Sequence, residues 1–116
     1  FEKIKKTQNG KITIKGTGKE IRSFIHINDF LRAFDILIRK GKHLNVYNIG
    51  NNEKTNIFNL ALNISNILQK KISVQKSSIH VGGTKIRCPN ISKIKKLGFV
   101  PKINLNKGLN YFNDKK

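Results

Sequence analysis

The sequence predicts a small mixed α/β fold. Strand-like runs with a period of two alternate with amphipathic runs of helical period. Asn, Asp and Gly stand where those runs meet, at positions that caps and turns require. No segment repeats at a fixed period and no low-complexity linker interrupts the chain, so its 116 residues suit one small domain.

The elements follow in order. Lys11-Ile12-Thr13-Ile14-Lys15 alternates polar and apolar residues and reads as a strand. Gly16-Thr17-Gly18 reads as a hairpin turn, and Ser23-Phe24-Ile25-His26-Ile27 as a second strand. Asn28 is placed to cap a helix starting at Asp29, whose charge suits the positive end of the helix dipole. Phe30, Ala33, Phe34, Leu37 and Ile38 recur at helical spacing and form one apolar stripe. Arg39 and Lys40 favour the carboxyl end, and Gly41 fits a left-handed stop. Val46-Tyr47-Asn48-Ile49 is a short strand ending at Gly50. A polar loop follows, then a helix capped by Thr55 or Asn56 with Ile57, Leu60, Ala61, Ile64 and Leu68 inward. Ile72-Ser73-Val74 reads as a third core strand, and Gly82-Gly83 as a loop. Asn90 caps a short helix through Ile91, Ile94 and Leu97, stopped by Gly98. Past Pro101, Asn104 caps a last helix with Leu105, Leu109 and Phe112 inward.

Composition bounds the function. The hydrophobic share is 37% and the charged share 26%, which fits a globular chain better than a disordered one. Apolar runs are only a few residues long, so no membrane span is expected, and the opening segment lacks a signal-peptide pattern. A start at Phe1 rather than Met reads as a fragment or an excised domain. Cys88 is the only cysteine, which agrees with a reducing, cytoplasmic setting. It has no Cys-His pattern around it and reads as an inert thiol. The net charge of +18 would suit a nucleic-acid binder. However, the charge is mostly Lys, spread along the chain and not interleaved with aromatics. Lys, Asn and Ile supply 53 of the 116 residues, the trio an AT-rich genome favours. The charge therefore reads as background, with a small basic nucleic-acid-binding protein kept as the alternative function.

Three segments together resemble the carboxyl-terminal part of the extended short-chain dehydrogenases that act on nucleotide sugars, the NAD-dependent epimerase/dehydratase family. The first is Gly16-Thr17-Gly18 with Arg22-Ser23-Phe24, His26 and Asp29, where the family runs Gly-x-Gly, Arg-x-Phe, an aromatic or His, and an Asp opening a helix. The second is Val46-Tyr47-Asn48-Ile49-Gly50. The third runs from Arg87-Cys88-Pro89-Asn90 through Leu97-Gly98-Phe99 to Pro101-Lys102. Asn90 stands where the family usually has Asp, and His80-Val81-Gly82-Gly83 stands where many members carry Arg-Pro-Gly-Asp.

The resemblance implies that residues 1–116 are the substrate-side portion of such an enzyme. The expected architecture is a small mixed α/β substrate-binding lobe plus edge elements of a Rossmann-type domain whose main part is absent. The Asp29 helix and the Val46 strand are the expected edge elements. An amino-terminal NAD-binding lobe would supply the glycine-rich loop that holds NAD(P), together with a catalytic Tyr-x-x-x-Lys. This chain lacks both in the expected context, so it is expected neither to bind the cofactor alone nor to be catalytic alone. Gly16-x-Gly18 has no third glycine. Tyr111-Phe112-Asn113-Asp114-Lys115 spells Tyr-x-x-x-Lys but lies at the extreme end, where a frayed surface helix is expected. The implied ligand is a nucleoside diphosphate sugar. Arg22 aligns with a family Arg that contacts the diphosphate, for which a planar guanidinium fork is suited. Arg87 and His80 are the further substrate-binding candidates. His26, Asp29 and Asn48 read as structural. Without its cofactor lobe the chain is expected to leave apolar surface bare and to be poorly soluble or marginally stable.

Overall fold

The computed structural model describes residues 1–7, 10–77 and 83–113, the last two by their backbone alone. A short helix, α1 (Glu2–Lys6), turns Ile4 inward and precedes β1 (Lys11–Ile14). In β1 the expected alternation is met, with Ile12 and Ile14 buried and Lys11 and Thr13 exposed. There follow β2 (Ile21–Arg22), α2 (Ile27–Lys40), β3 (Thr55–Asn56) and α3 (Ile57–Ile67). The chain continues through β4 (Ser73–Lys76), β5 (Ile86–Arg87), α4 (Ser92–Lys96) and α5 (Leu105–Asn113). β1 pairs parallel with β4, setting Ile12 opposite Val74. β2 lies between β3, antiparallel to it, and β5, parallel to it. The mixed α/β expectation therefore holds.

Several local expectations do not. Gly16-Thr17-Gly18 is not a hairpin turn, because β1 and β2 belong to different sheets. The acceptors beyond β1 are taken by the start of α3: Phe58 N donates to Gly18 O and Ile57 N to Glu20 O. Strand structure falls at Ile21–Arg22 rather than at 23–27, since α2 already begins at Ile27. The reason is the cap. His26, not Asn28, ends the extended segment, and its Nδ1 accepts from Asn28 N at 3.2 Å. Gly41 is extended (φ −63°, ψ 139°) rather than left-handed. It is needed there for space, because a Cβ would meet Leu37 O at 2.5 Å. Residues 46–49 pair with no strand among the described residues. In β4 only Val74 is even partly buried, so this is an exposed edge rather than a core strand.

The asparagine signals fare better. Asn56 caps α3 by accepting from Asn59 N at 2.7 Å. Asn104 Oδ1 accepts from Lys107 N, and Asn90 Oδ1 from Ser92 N, both at 2.9 Å. Asn56 and Asn104 thus supply acceptors to helix starts that would otherwise leave amides unpaired. The cap position of α4 is Ile91 rather than Asn90, which bonds from one residue further out.

Two separate cores result. Ile4, Ile12, Ile14, Ala61, Ile64 and Leu109 join α1, β1, α3 and α5. Ala33, Ile91, Ile94 and Phe99 join α2 to α4 and the segment after it. The stripe read on α2 divides between faces. Ala33 is buried and Leu37 half-buried, whereas Phe34 and Ile38 face solvent, joined there by Ile27, Phe30 and Leu31. The molecule is a slab only 15 Å thick with a radius of gyration of 16.7 Å, against about 13 Å for a compact domain of this length. Its accessible surface is 8535 Å², against roughly 6400 Å² for a folded monomer of this mass. Among the described residues no helix is long and apolar enough to cross a membrane.

Candidate functional site

The turn between β1 and β2 builds one wall of a cavity. Gly16 and Gly18 hold φ of +88° and +77°, values that side chains rarely adopt. Between them Thr17 faces Glu20. Glu20 Oε1 accepts from Thr17 N at 2.9 Å and from Thr17 Oγ1 at 3.1 Å. A Cβ on Gly16 would lie 2.4 Å from that same oxygen, so the glycine also makes room for the carboxylate. Hydrogen bonds from the backbone amides of Glu20 and Thr17 hold the Glu20 carboxyl below the usual carboxylate range, with partial burial opposing them.

The cavity beside this turn measures about 600 Å³ and is lined by Lys15, Thr17, Lys19, Glu20, Arg22 and Lys85, with Gly16 and Gly83. Arg22, half-buried on β2, turns its guanidinium toward the β5 backbone. Its Nη1 donates to Ile21 O at 2.7 Å and reaches Lys85 O at 3.5 Å. Arg87 is the register partner of Arg22 on β5, so both side chains leave the same face of the sheet. Arg87 is exposed, lies 3.5 Å from Thr84 Oγ1 and does not line the cavity. His80 lies outside the described residues. The structure therefore places Arg22 at the cavity, sets Arg87 on the neighbouring strand, and adds Lys15, Lys19 and Lys85, which sequence reading did not single out. In a chain with lysines spread throughout, no pattern marks these three.

The remaining singled-out residues are structural. Asp29 is 1% exposed. Its Oδ2 accepts from Lys102 N and Ile103 N at 2.9 Å each, and its Oδ1 pairs with Arg32 Nη2 at 3.0 Å. Arg32 also donates to Val100 O and lies over the Phe99 ring. Asp29 thus does more than open α2, since it ties that helix to the segment after α4. Asn48 Nδ2 donates to Asn90 O at 3.1 Å. Tyr111 stacks at a tilt on His26, the cap of α2, while Lys115 lies outside the described residues. Cys88 Sγ sits 3.8 Å from Asn52 O, and the described residues hold no cluster fit for a metal.

Known proteins share this fold. UDP-glucose 4-epimerase from Thermotoga maritima, solved with UDP-glucose, matches with a TM-score of 0.80 at 26% identity, over 90% of this chain and 35% of that one. The fold is that of the Rossmann-type short-chain dehydrogenases. A family model described as the NAD dependent epimerase/dehydratase family matches residues 1–50. The dTDP-D-glucose 4,6-dehydratase of Dictyostelium discoideum is 48% identical over 59 residues, covering 51% of this chain and 14% of that protein. Its counterpart in Bos taurus is 30% identical over 108 residues, covering 87% and 30%. The chain belongs to the NAD-dependent epimerase/dehydratase family. It spans about a third or less of the length of the relatives it matches.

A dinucleotide requires a glycine-rich turn running from a strand into a helix N-terminus. Gly16-Thr17-Gly18 runs instead from one sheet to a strand of another, and Glu20 occupies the Thr17 amide. This turn does not fit a dinucleotide diphosphate.

Proposed function

We propose that residues 1–116 are the carboxyl-terminal, substrate-side portion of an NAD-dependent nucleotide-sugar epimerase/dehydratase, and that they hold the nucleoside diphosphate sugar. The observation that carries this is Arg22 on the wall of a cavity where, among the described residues, four cationic side chains meet a single carboxylate. A pyrophosphate offers the charge and the planar oxygen pairs that a guanidinium matches. Arg87, on the same sheet face, and His80 are further contacts in this reading. NAD(P), the glycine-rich loop and the catalytic Tyr-x-x-x-Lys belong to an amino-terminal lobe, a reading supported by this chain's covering only about a third or less of its relatives. That lobe docks on the bare stripe of α2 and the unpaired segment 46–49, and the present chain binds substrate without catalysing the reaction.

Titrating the chain with a panel of nucleoside diphosphate sugars and with duplex DNA tests the binding role. Weak binding of at least one sugar nucleotide is expected, and Arg22→Ala should weaken it by about tenfold, the worth of one charge-assisted contact. Unchanged binding in that variant would remove the phosphate assignment. Tight, steeply salt-dependent DNA binding without sugar-nucleotide binding would favour the basic nucleic-acid-binding alternative.

A further inference from the structure

We infer that His26 and Tyr111 form a proton-sensitive clasp between the two cores, fastened while the imidazole is neutral and loosened when it gains a second proton. His26 ends the extended backbone that leads from β2 into α2. Its Nδ1 accepts from Asn28 N at 3.2 Å, so that nitrogen carries no hydrogen and the one ring N–H is on Nε2. His26 O accepts from Phe30 N at 3.0 Å, so side chain and carbonyl both serve the start of the helix. The ring also meets α5. Its centroid lies 5.4 Å from that of Tyr111, at an angle of 53°. Gly108, three residues earlier on α5, leaves room for it, since a Cβ there would lie 3.4 Å from His26 Cδ2. Ile25, next to His26, packs on the core of Ala33 and Phe99, whereas Leu109, next to Gly108, belongs to the core of α3. One half-buried ring thus joins two cores that share no residue. Tyr111 thereby has a role that needs no catalysis.

A second proton would set an N–H on Nδ1 against the N–H of Asn28. The cap acceptor would be lost and a positive charge placed at the positive end of the α2 dipole. The surroundings do little to compensate. On α2, the Asp29 carboxylate is already engaged by Lys102 N, Ile103 N and Arg32. Ahead of α5, Lys102 adds positive charge and the Glu53 carboxylate accepts from Leu105 N. On α5 itself the titratable groups are Lys107 and the Tyr111 phenol. Segment 23–25 has none, and Arg22 before it turns to Ile21 O. Among the described residues lining the cavity of about 170 Å³ between His26 and α5, His26 is the only titratable one.

Nuclear magnetic resonance of the whole chain between about pH 8 and about pH 5, the span over which imidazoles change charge, tests this. At the upper end His26 Nδ1 should read as the unprotonated nitrogen. On acidification the Asn28 and Phe30 amides should exchange roughly tenfold faster after correction for intrinsic rate, as loss of a cap acceptor implies. The Tyr111 ring resonances should move in the same titration, while the Asn59 amide, capped by Asn56, stays protected. His26→Asn supplies an acceptor that does not titrate and should keep the start of α2 protected throughout. A chain carrying His43→Gln and His80→Gln, with His26 its only histidine, should respond as the parent does. An acid response that survives His26→Asn would overturn the inference. So would a proton on Nδ1 at the upper end, or a parent whose Asn28 and Phe30 amides do not respond. If His26→Asn fails to fold, the parent and the single-histidine chain decide the matter.

Discussion

Helices α2 and α3 are both amphipathic, yet the molecule treats them differently. α3 turns Ala61 and Ile64 into a core completed by α1, β1 and α5. α2 buries Asp29 and Ala33 against α4 and Phe99, then presents a second apolar face to solvent. Ile27, Leu31, Phe34 and Ile38 fall at spacings of four, three and four, and each is more than half exposed. A helix that is apolar on two faces is one that expects neighbours on both sides. The half around α3 is finished with residues of this chain, whereas the half around α2 is built to be covered. The thin slab and its excess surface fit the same picture.

The largest expected effect would separate these halves. Asp29→Ala leaves the part-buried amides of Lys102 and Ile103 without their acceptor, while Arg32 keeps Val100 O. Leaving a buried backbone amide unpaired costs about 1–3 kcal/mol each. Amide hydrogen exchange should show fast exchange across α2 and the segment after α4, with β1, β4 and α3 still protected. A uniform loss of protection would make the two halves one cooperative unit and break the distinction.

A smaller effect is expected on the bare face. Phe34→Lys with Ile38→Lys should change the stability of this chain by no more than about 0.5 kcal/mol, because both side chains are more than half exposed. Sedimentation should show less self-association than the parent, and docking of the proposed amino-terminal lobe should be lost. A large destabilisation would mean that this face already has a partner within the chain.

The same contrast explains how much of the molecule was legible in the sequence. Where elements close on one another locally, the signals were direct: the alternation in β1, the asparagine caps at Asn56 and Asn104, and the inward residues of α3. Reading failed where a long-range partner decides. Residues 23–27 are rich in aromatic and β-branched types, yet His26 caps a helix there, a role that residue seldom takes. The turn at Gly16 pointed to a hairpin because no sequence pattern shows that α3 will take its acceptors. Of the site, Arg22 could be marked by family resemblance. Lys85 could not, because its place comes from the pairing of β5 with β2 across more than sixty intervening residues.

The smallest expected effect lies in the turn that joins β1 to β2, on the closed side of the molecule. Backbone amides hold the Glu20 carboxyl below its ordinary value of 4.5. A carboxylate whose pKa is lower folded than unfolded stabilises the protein above the unfolded value. It loses that contribution as pH falls through the folded one. Glu20→Gln keeps an acceptor for Thr17 but removes the charge. The parent should therefore melt slightly above the variant near neutral pH, and the gap should close as the solution is acidified past 4.5. Because Ile57 N and Phe58 N bond the carbonyls of Glu20 and Gly18, the sensitivity should appear in exchange protection at the start of α3 and not in α2. A melting difference that stays constant across the acid range would mean the Glu20 charge does not stabilise the turn, leaving only its shape to hold the cavity wall.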